Sequence, residues 1–144
     1  MSHEIPDYHD ADLVLKLYDL RREEVMRRSR EVVNQKFWPK DADGVLVVAR
    51  PDHELNAAFR QVAGYWEMAY GMGRHGIINA DFLIENNGEG FFLFAKVQPW
   101  LAQLRQATSP RSFANAEWMA TRTEMGRQIF EQIRARVAKT LEIK

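Results

Sequence analysis

Glu67, Tyr70, Arg74 and His75 are the residues of this chain whose types and spacing could do chemistry together. Separations of three and four residues put Glu67, Tyr70 and Arg74 on one helix face, with Trp66 and Tyr70 as candidate walls. A carboxylate, a phenol, a guanidinium and an imidazole could bind a small polar ligand or transfer a proton. One turn from Glu67 lie Ala63, Gly64, Tyr70 and Gly71. Small residues let another helix come close, so Glu67 is also placed to sit at a helix crossing, paired with Arg105 or Arg60. Buried charges are usually paired, which makes that structural role the simpler expectation.

Other chemistries find less support. His3, His9, His53 and His75 form no Glu-x-x-His or His-Glu-x-x-His pattern, so neither a di-iron nor a zinc bundle is expected. His9 with Asp7, Asp10 and Asp12 could catch a stray divalent ion, and no specific metal or cofactor is expected. The chain has no cysteine, which excludes disulfides, thiolate sites and a cysteine nucleophile. None of Ser2, Ser29, Ser109 and Ser112 sits in a Gly-x-Ser-x-Gly elbow. The run Gly71 to Gly76 looks like a dinucleotide fingerprint, but that motif needs a preceding strand and these glycines end a helix. The loop Asn86 to Gly90 lacks the lysine and hydroxyl of a phosphate-binding loop. No enzyme signature remains.

The elements that must position these residues read as helices. Phe59, Trp66, Tyr70 and Gly73, widened by Val62, Ala69 and Met72, mark a helix from about Asp52 to His75, closed by Gly76. Before it, a long helix capped by Asp10 or Asp12 runs to about Phe37, where Pro39 stops it. Its stripe is Val14, Leu17, Tyr18, Val25, Val32 and Val33. Val45 to Ala49 could be a strand, but no other segment alternates to pair with it, so a short buried helix ended by Pro51 is expected. Asn79 caps a short helix to Glu85, with Phe82, Leu83 and Ile84 inward. Phe91 to Gln106 is helical with a kink near Ala95 imposed by Pro99. Ser109 and Pro110 start a last helix that reaches Leu141, with Met125, Ile129, Ile133, Val137 and Leu141 along one face.

These elements predict an all-α fold: one domain over residues 1–144, four to five helices with long first and last members, and residues 1–9 as a flexible tail. At 144 residues, 46% hydrophobic and 28% charged, the chain can bury a core without staples. Basic and acidic residues number 20 each, so no global charge attracts nucleic acid or membrane. Arg21, Arg22, Arg27, Arg28 and Arg30, with Arg122, Arg127, Arg134 and Arg136, are interleaved with Glu23, Glu24, Glu31, Glu117, Glu124 and Glu131. Ion-paired faces are expected there, with pairs such as Glu23–Arg27, Glu24–Arg28 and Arg27–Glu31, and nucleic-acid binding is the lesser reading. No apolar run is long enough to span a bilayer, the N-terminus is unlike a signal peptide, and a cytoplasmic protein is expected.

One segment is familiar as a pattern. The pair Trp66-Glu67 on a helix ending Arg74-His75-Gly76-Ile77, then Asp81-Phe82-Leu83, an aromatic run and a helix closing at Arg105, resembles an uncharacterised bacterial all-helical family known only as a domain of unknown function. The resemblance covers residues 56–105 and implies no substrate, cofactor or catalytic residue.

The function expected from this is a helical interaction or regulatory module that self-associates as a homodimer without catalysis, since the long helices outrun the bundle core. The alternative is a bundle that binds a small polar ligand, or acts on one, through the Glu67 face.

Overall fold

Both long helices expected at the ends of the chain are broken in two, and each break has a local cause. The computed structural model describes residues 4–144. Within them α1 spans Tyr8–Arg21 and α2 spans Glu24–Lys36. Glu23 is extended (ψ 147°) and its carboxylate accepts the Val25 and Met26 amides, so it caps α2 instead of pairing with Arg27. The end of α1 is tied to its neighbours: the Tyr65 hydroxyl donates to the Leu17 carbonyl and Arg30 donates to the Arg21 carbonyl, which the helix leaves open. The break rotates the apolar face, so Met26 and Val33 are buried while Tyr18 and Val25 are about half exposed.

The start of α1 also differs from expectation. Asp7 is its cap, in a reciprocal box with Asp10. Tyr8 and His9 are thus helical; the remainder of the expected tail includes residues 1–3, which, with His3, lie outside the described residues. Asp10 is buried and also accepts the Asn79 amide, tying α1 to the start of α5, Ala80–Asn86.

Val45 to Val48 belong to a helix, with Ala49 as its C-terminal cap: α3, Ala42–Val48, capped at its start by Asp41 and stopped before Pro51. The central helix, α4, covers Asn56–Arg74, starting later than expected because Asp52 to Leu55 form turns in which His53 accepts the Leu55 amide. It ends as expected: Gly76, at φ 73°, lets its own amide and that of Ile77 return to the Gly73 and Met72 carbonyls. Asn79 caps α5 through the Phe82 amide.

Next come α6, Gly90–Val97, a 3-10 turn, Gln98–Trp100, and α7, Leu101–Ala107. Pro99 therefore breaks the segment at itself instead of kinking it at Ala95. The last segment starts later too. Ser109 accepts the Arg111 amide but makes only a turn, and α8 spans Ala114–Thr121. Thr123 then caps α9, Glu124–Ile143. Gly126 lies so close to α8 that a Cβ would strike the Met119 carbonyl, which fixes the corner.

The chain is thus all-α, with nine α-helices and no strand among the described residues; four to five was an undercount. α4 lies between α2 and α8, and α9 packs along α6. The buried side chains form one connected core. Phe91 and Phe94 of α6 meet Phe130 of α9 at 5.5 and 5.3 Å between ring centres. α6 is buried nearly all round, carrying Lys96 inside with it. Its ammonium lies 3.9 Å from the Trp38 ring centre and 4.4 Å from that of Phe92.

Candidate functional site

Glu67 sits at a helix crossing, but its partners are amides. Phe113, which precedes α8, adopts the left-handed region at φ 58° and offers no side-chain cap. The first amides of a helix need acceptors. The Glu67 carboxylate supplies them from α4, accepting the Asn115 amide at 3.0 Å and the Ala116 amide at 2.8 Å. The Asn115 side chain returns a bond to the Glu67 carbonyl at 3.0 Å. A Cβ on Gly71 would lie 2.8 Å from that same side chain, so the small residue is what lets α8 approach. The expected arginine partners are engaged elsewhere: Arg105 with Glu117 and the Ser112 carbonyl, Arg60 with Asn56. Burial raises the Glu67 pKa, opposed by the two amides and by the nearby Arg105 and Arg74.

The remaining residues of the expected site divide. A helix turns about 100° per residue, so Arg74 lies about 20° from Glu67 while Trp66 lies about 100° away. Glu67, Arg74 and His75 accordingly line one small groove of about 310 Å³, together with Arg111. Arg74 and His75 are exposed there, Arg74 donating to the Asn115 side chain at 3.2 Å. Trp66 and Tyr70 turn into the core and form no wall. The Trp66 ring stands edge-on to Tyr65 at 4.9 Å. The Tyr70 hydroxyl, fully buried, donates to the Asn87 carbonyl at 2.7 Å, and burial pushes its pKa well up.

A larger groove of about 620 Å³ lies on the other side of Glu67, between α4 and the segment linking α7 to α8. Phe59, Ala63, Met68, Leu104 and Phe113 give it apolar walls, and Gly64 lies on its α4 side. The linking segment satisfies its own hydroxyls: Thr108 bonds the Leu104 carbonyl and meets Ser112 at 2.8 Å. Two guanidiniums also line it. Arg60 is oriented through its Nε by Asn56, which is 3% exposed and donates to the Val48 carbonyl. Arg111 makes no side-chain hydrogen bond or ion pair among the described residues. Sequence reasoning named Arg60 as a partner for Glu67 and Gly64 as a point of close helix approach, and placed neither at a site; nothing lies within 4 Å of where a Gly64 Cβ would be. The available signal was Gly64, a glycine in mid-helix with no turn to make.

Elsewhere the expected ion pairing of the arginine-bearing faces is partial: of their nine arginines, Arg28, Arg30, Arg127 and Arg134 are ion-paired within 4 Å. Arg28–Glu24, Arg127–Glu124 and Arg134–Glu131 lie along helix surfaces, and Arg30 makes a two-pronged bridge to Glu89 with both contacts at 2.6 Å. Of the three pairs expected on the first helix, Glu24–Arg28 is the one seen within 4 Å. Among the described residues no group of three or more His, Asp or Glu is placed to hold a metal ion, and no helix is long and apolar enough to cross a membrane.

An all-helical chain with a capped helix crossing and an adjoining groove is the class that fold and site define. The chain belongs to the family described as Domain of unknown function (DUF4760), whose model matches residues 7–123. The match runs well beyond residues 56–105 and ends at Thr123, the cap of α9. No curated protein and no solved structure matches the chain.

Proposed function

We propose that this protein binds a small molecule in the groove between α4 and the α7–α8 segment. The observation that carries the reading is the groove itself: about 620 Å³, walled by apolar side chains, is the size of a ligand pocket. Two features of its walls support it. Gly64 weakens α4 by roughly 0.5–1 kcal/mol relative to alanine, yet nothing lies within 4 Å of where its Cβ would be. Gly71 and Gly73, by contrast, have helix neighbours under 3 Å away. Phe113 is the one non-glycine residue with positive φ among the described residues, and such strain gathers at binding sites. The Glu67 carboxylate serves as a strut for the groove wall, and no catalytic role is assigned to it.

The test is fluorescence titration with phenylnaphthylamine, an uncharged apolar dye, and with anilinonaphthalene sulfonate. The wild type should bind one dye molecule saturably. Gly64→Leu, which fills the open space without touching the core, should abolish that binding while keeping the helical circular dichroism. Binding of neither dye, or equal binding by Gly64→Leu, removes the groove as a site.

A second reading, self-association, loses the support of two unbroken end helices, since each of those segments is broken in two. It gains another from α1, where Tyr8, Leu15 and Tyr18 are 94%, 65% and 47% exposed along one side. Sedimentation equilibrium at micromolar concentration tests it. A dimer that Leu15→Glu converts to monomer supports the reading, and a monomeric wild type ends it.

A further inference from the structure

We infer that the groove selects an organic monoanion with an apolar body, such as an aryl or short acyl carboxylate. The inference rests on the binding reading above and adds the ligand's chemical class. It comes from the charges that line the groove. Arg60 and Arg111 bring two guanidiniums, Glu67 one carboxylate, so the lining carries one net positive charge. The Glu67 oxygens are already occupied by the Asn115 and Ala116 amides, whereas both arginines keep free donors.

Arg60 is held in place. Its Nε donates to Asn56 at 2.9 Å, and Asn56, buried, is anchored in turn to the Val48 carbonyl at 2.9 Å. That relay leaves the two terminal nitrogens of Arg60 to meet an acceptor in a fixed direction, the geometry that suits a carboxylate fork. Arg111 stands on the facing segment with its guanidinium free. Between them the walls are Phe59, Ala63, Met68 and Phe113, which match an apolar body, and Gly64 allows that body to rest on the helix backbone. A dianion would leave one charge uncompensated, and a neutral ligand would leave both guanidiniums without use.

Comparing the two dyes on the intact protein tests this, because anilinonaphthalene sulfonate has a similar apolar body with one anionic group. The sulfonate should bind at least about tenfold more tightly than phenylnaphthylamine, the scale of a charge-assisted hydrogen bond. Arg60→Gln and Arg111→Gln, both at exposed positions, should each weaken the sulfonate by about tenfold and leave the neutral dye within about twofold. Naphthalene acetate should displace the bound sulfonate, and naphthalene methanol should not. Equal affinity for the two dyes, or sulfonate binding unchanged in both arginine variants, overturns the ligand class while the groove stands. Failure of both dyes to bind overturns the groove itself.

Discussion

Replacing Lys96 by methionine should stabilise the protein at neutral pH, and the gain should fade as the pH rises. Lys96 is 1% exposed, and its ammonium donates to the Val33 carbonyl at 3.3 Å. Burial pulls its pKa from 10.5 down to about 7, and the charge of Lys144 acts in the same direction. The unfolded chain holds that proton up to about pH 10.4. Between about pH 7 and that point the unfolded state binds more protons, so stability climbs with pH; below about pH 7 both states are charged and the whole cost is present. A fall from 10.5 to about 7 corresponds to roughly 5 kcal/mol. The rings of Trp38 and Phe92 work against that cost, since desolvated cation–π contacts return about 2 kcal/mol. Methionine fills a similar length of apolar space, and the Val33 carbonyl keeps the Phe37 amide as a partner. The net expectation is a gain of about 1–3 kcal/mol near pH 7 that vanishes near pH 10. Urea denaturation of both proteins, followed by circular dichroism across that range, measures it. A variant no more stable than wild type at pH 7, or a difference that does not change with pH, would refute the reasoning. The rings would then be holding the ammonium at little cost.

Three further outcomes follow from single contacts. Gly126→Ala should cost more than about 3 kcal/mol by denaturant titration, because the new methyl group meets the backbone of α8 and neither helix can yield cheaply. Glu67→Ala should cost about 2–3 kcal/mol through the two amides left without acceptors, and Glu67→Gln, which keeps one acceptor oxygen, should recover part of that. Tyr70→Phe should cost about 1–2 kcal/mol, since the buried Asn87 carbonyl loses its hydroxyl donor; a neutral result would mean water reaches that carbonyl.

What could be read from the sequence was whatever is decided within a few residues. The apolar period of α4, the glycine that closes it, the Asn79 cap and the helical state of Val45 to Val48 all depend on near neighbours, and all hold. The two breaks were hidden because Glu23 and Thr123 cap new helices within segments whose pattern continues through them. Glu23 followed four residues later by Arg27 has the spacing of a helix-surface pair, and only geometry tells a cap from a pair. Ser109-Pro110 is a fair start signal, and Ser109 does accept an amide. The helix waits until Ala114 because Phe113 is packed between Phe59 and Phe94, with ring centres 6.2 and 6.0 Å away. At the site, a helix crossing was expected for Glu67 from its small neighbours. Its acceptor role was not, because the amides it serves lie 48 and 49 residues along the chain. The groove depends on where the α7–α8 segment docks, which no local pattern encodes.

That borrowed cap makes the first turn of α8 conditional. Eight residues are too few to be helical alone, and the acceptors for its leading amides belong to α4. When the segment lifts from α4, Asn115 and Ala116 lose their partners together, so they should trade their amide protons with solvent as one unit. A molecule seated in the groove would slow both by the same factor, giving occupancy a clock that needs no label on the ligand.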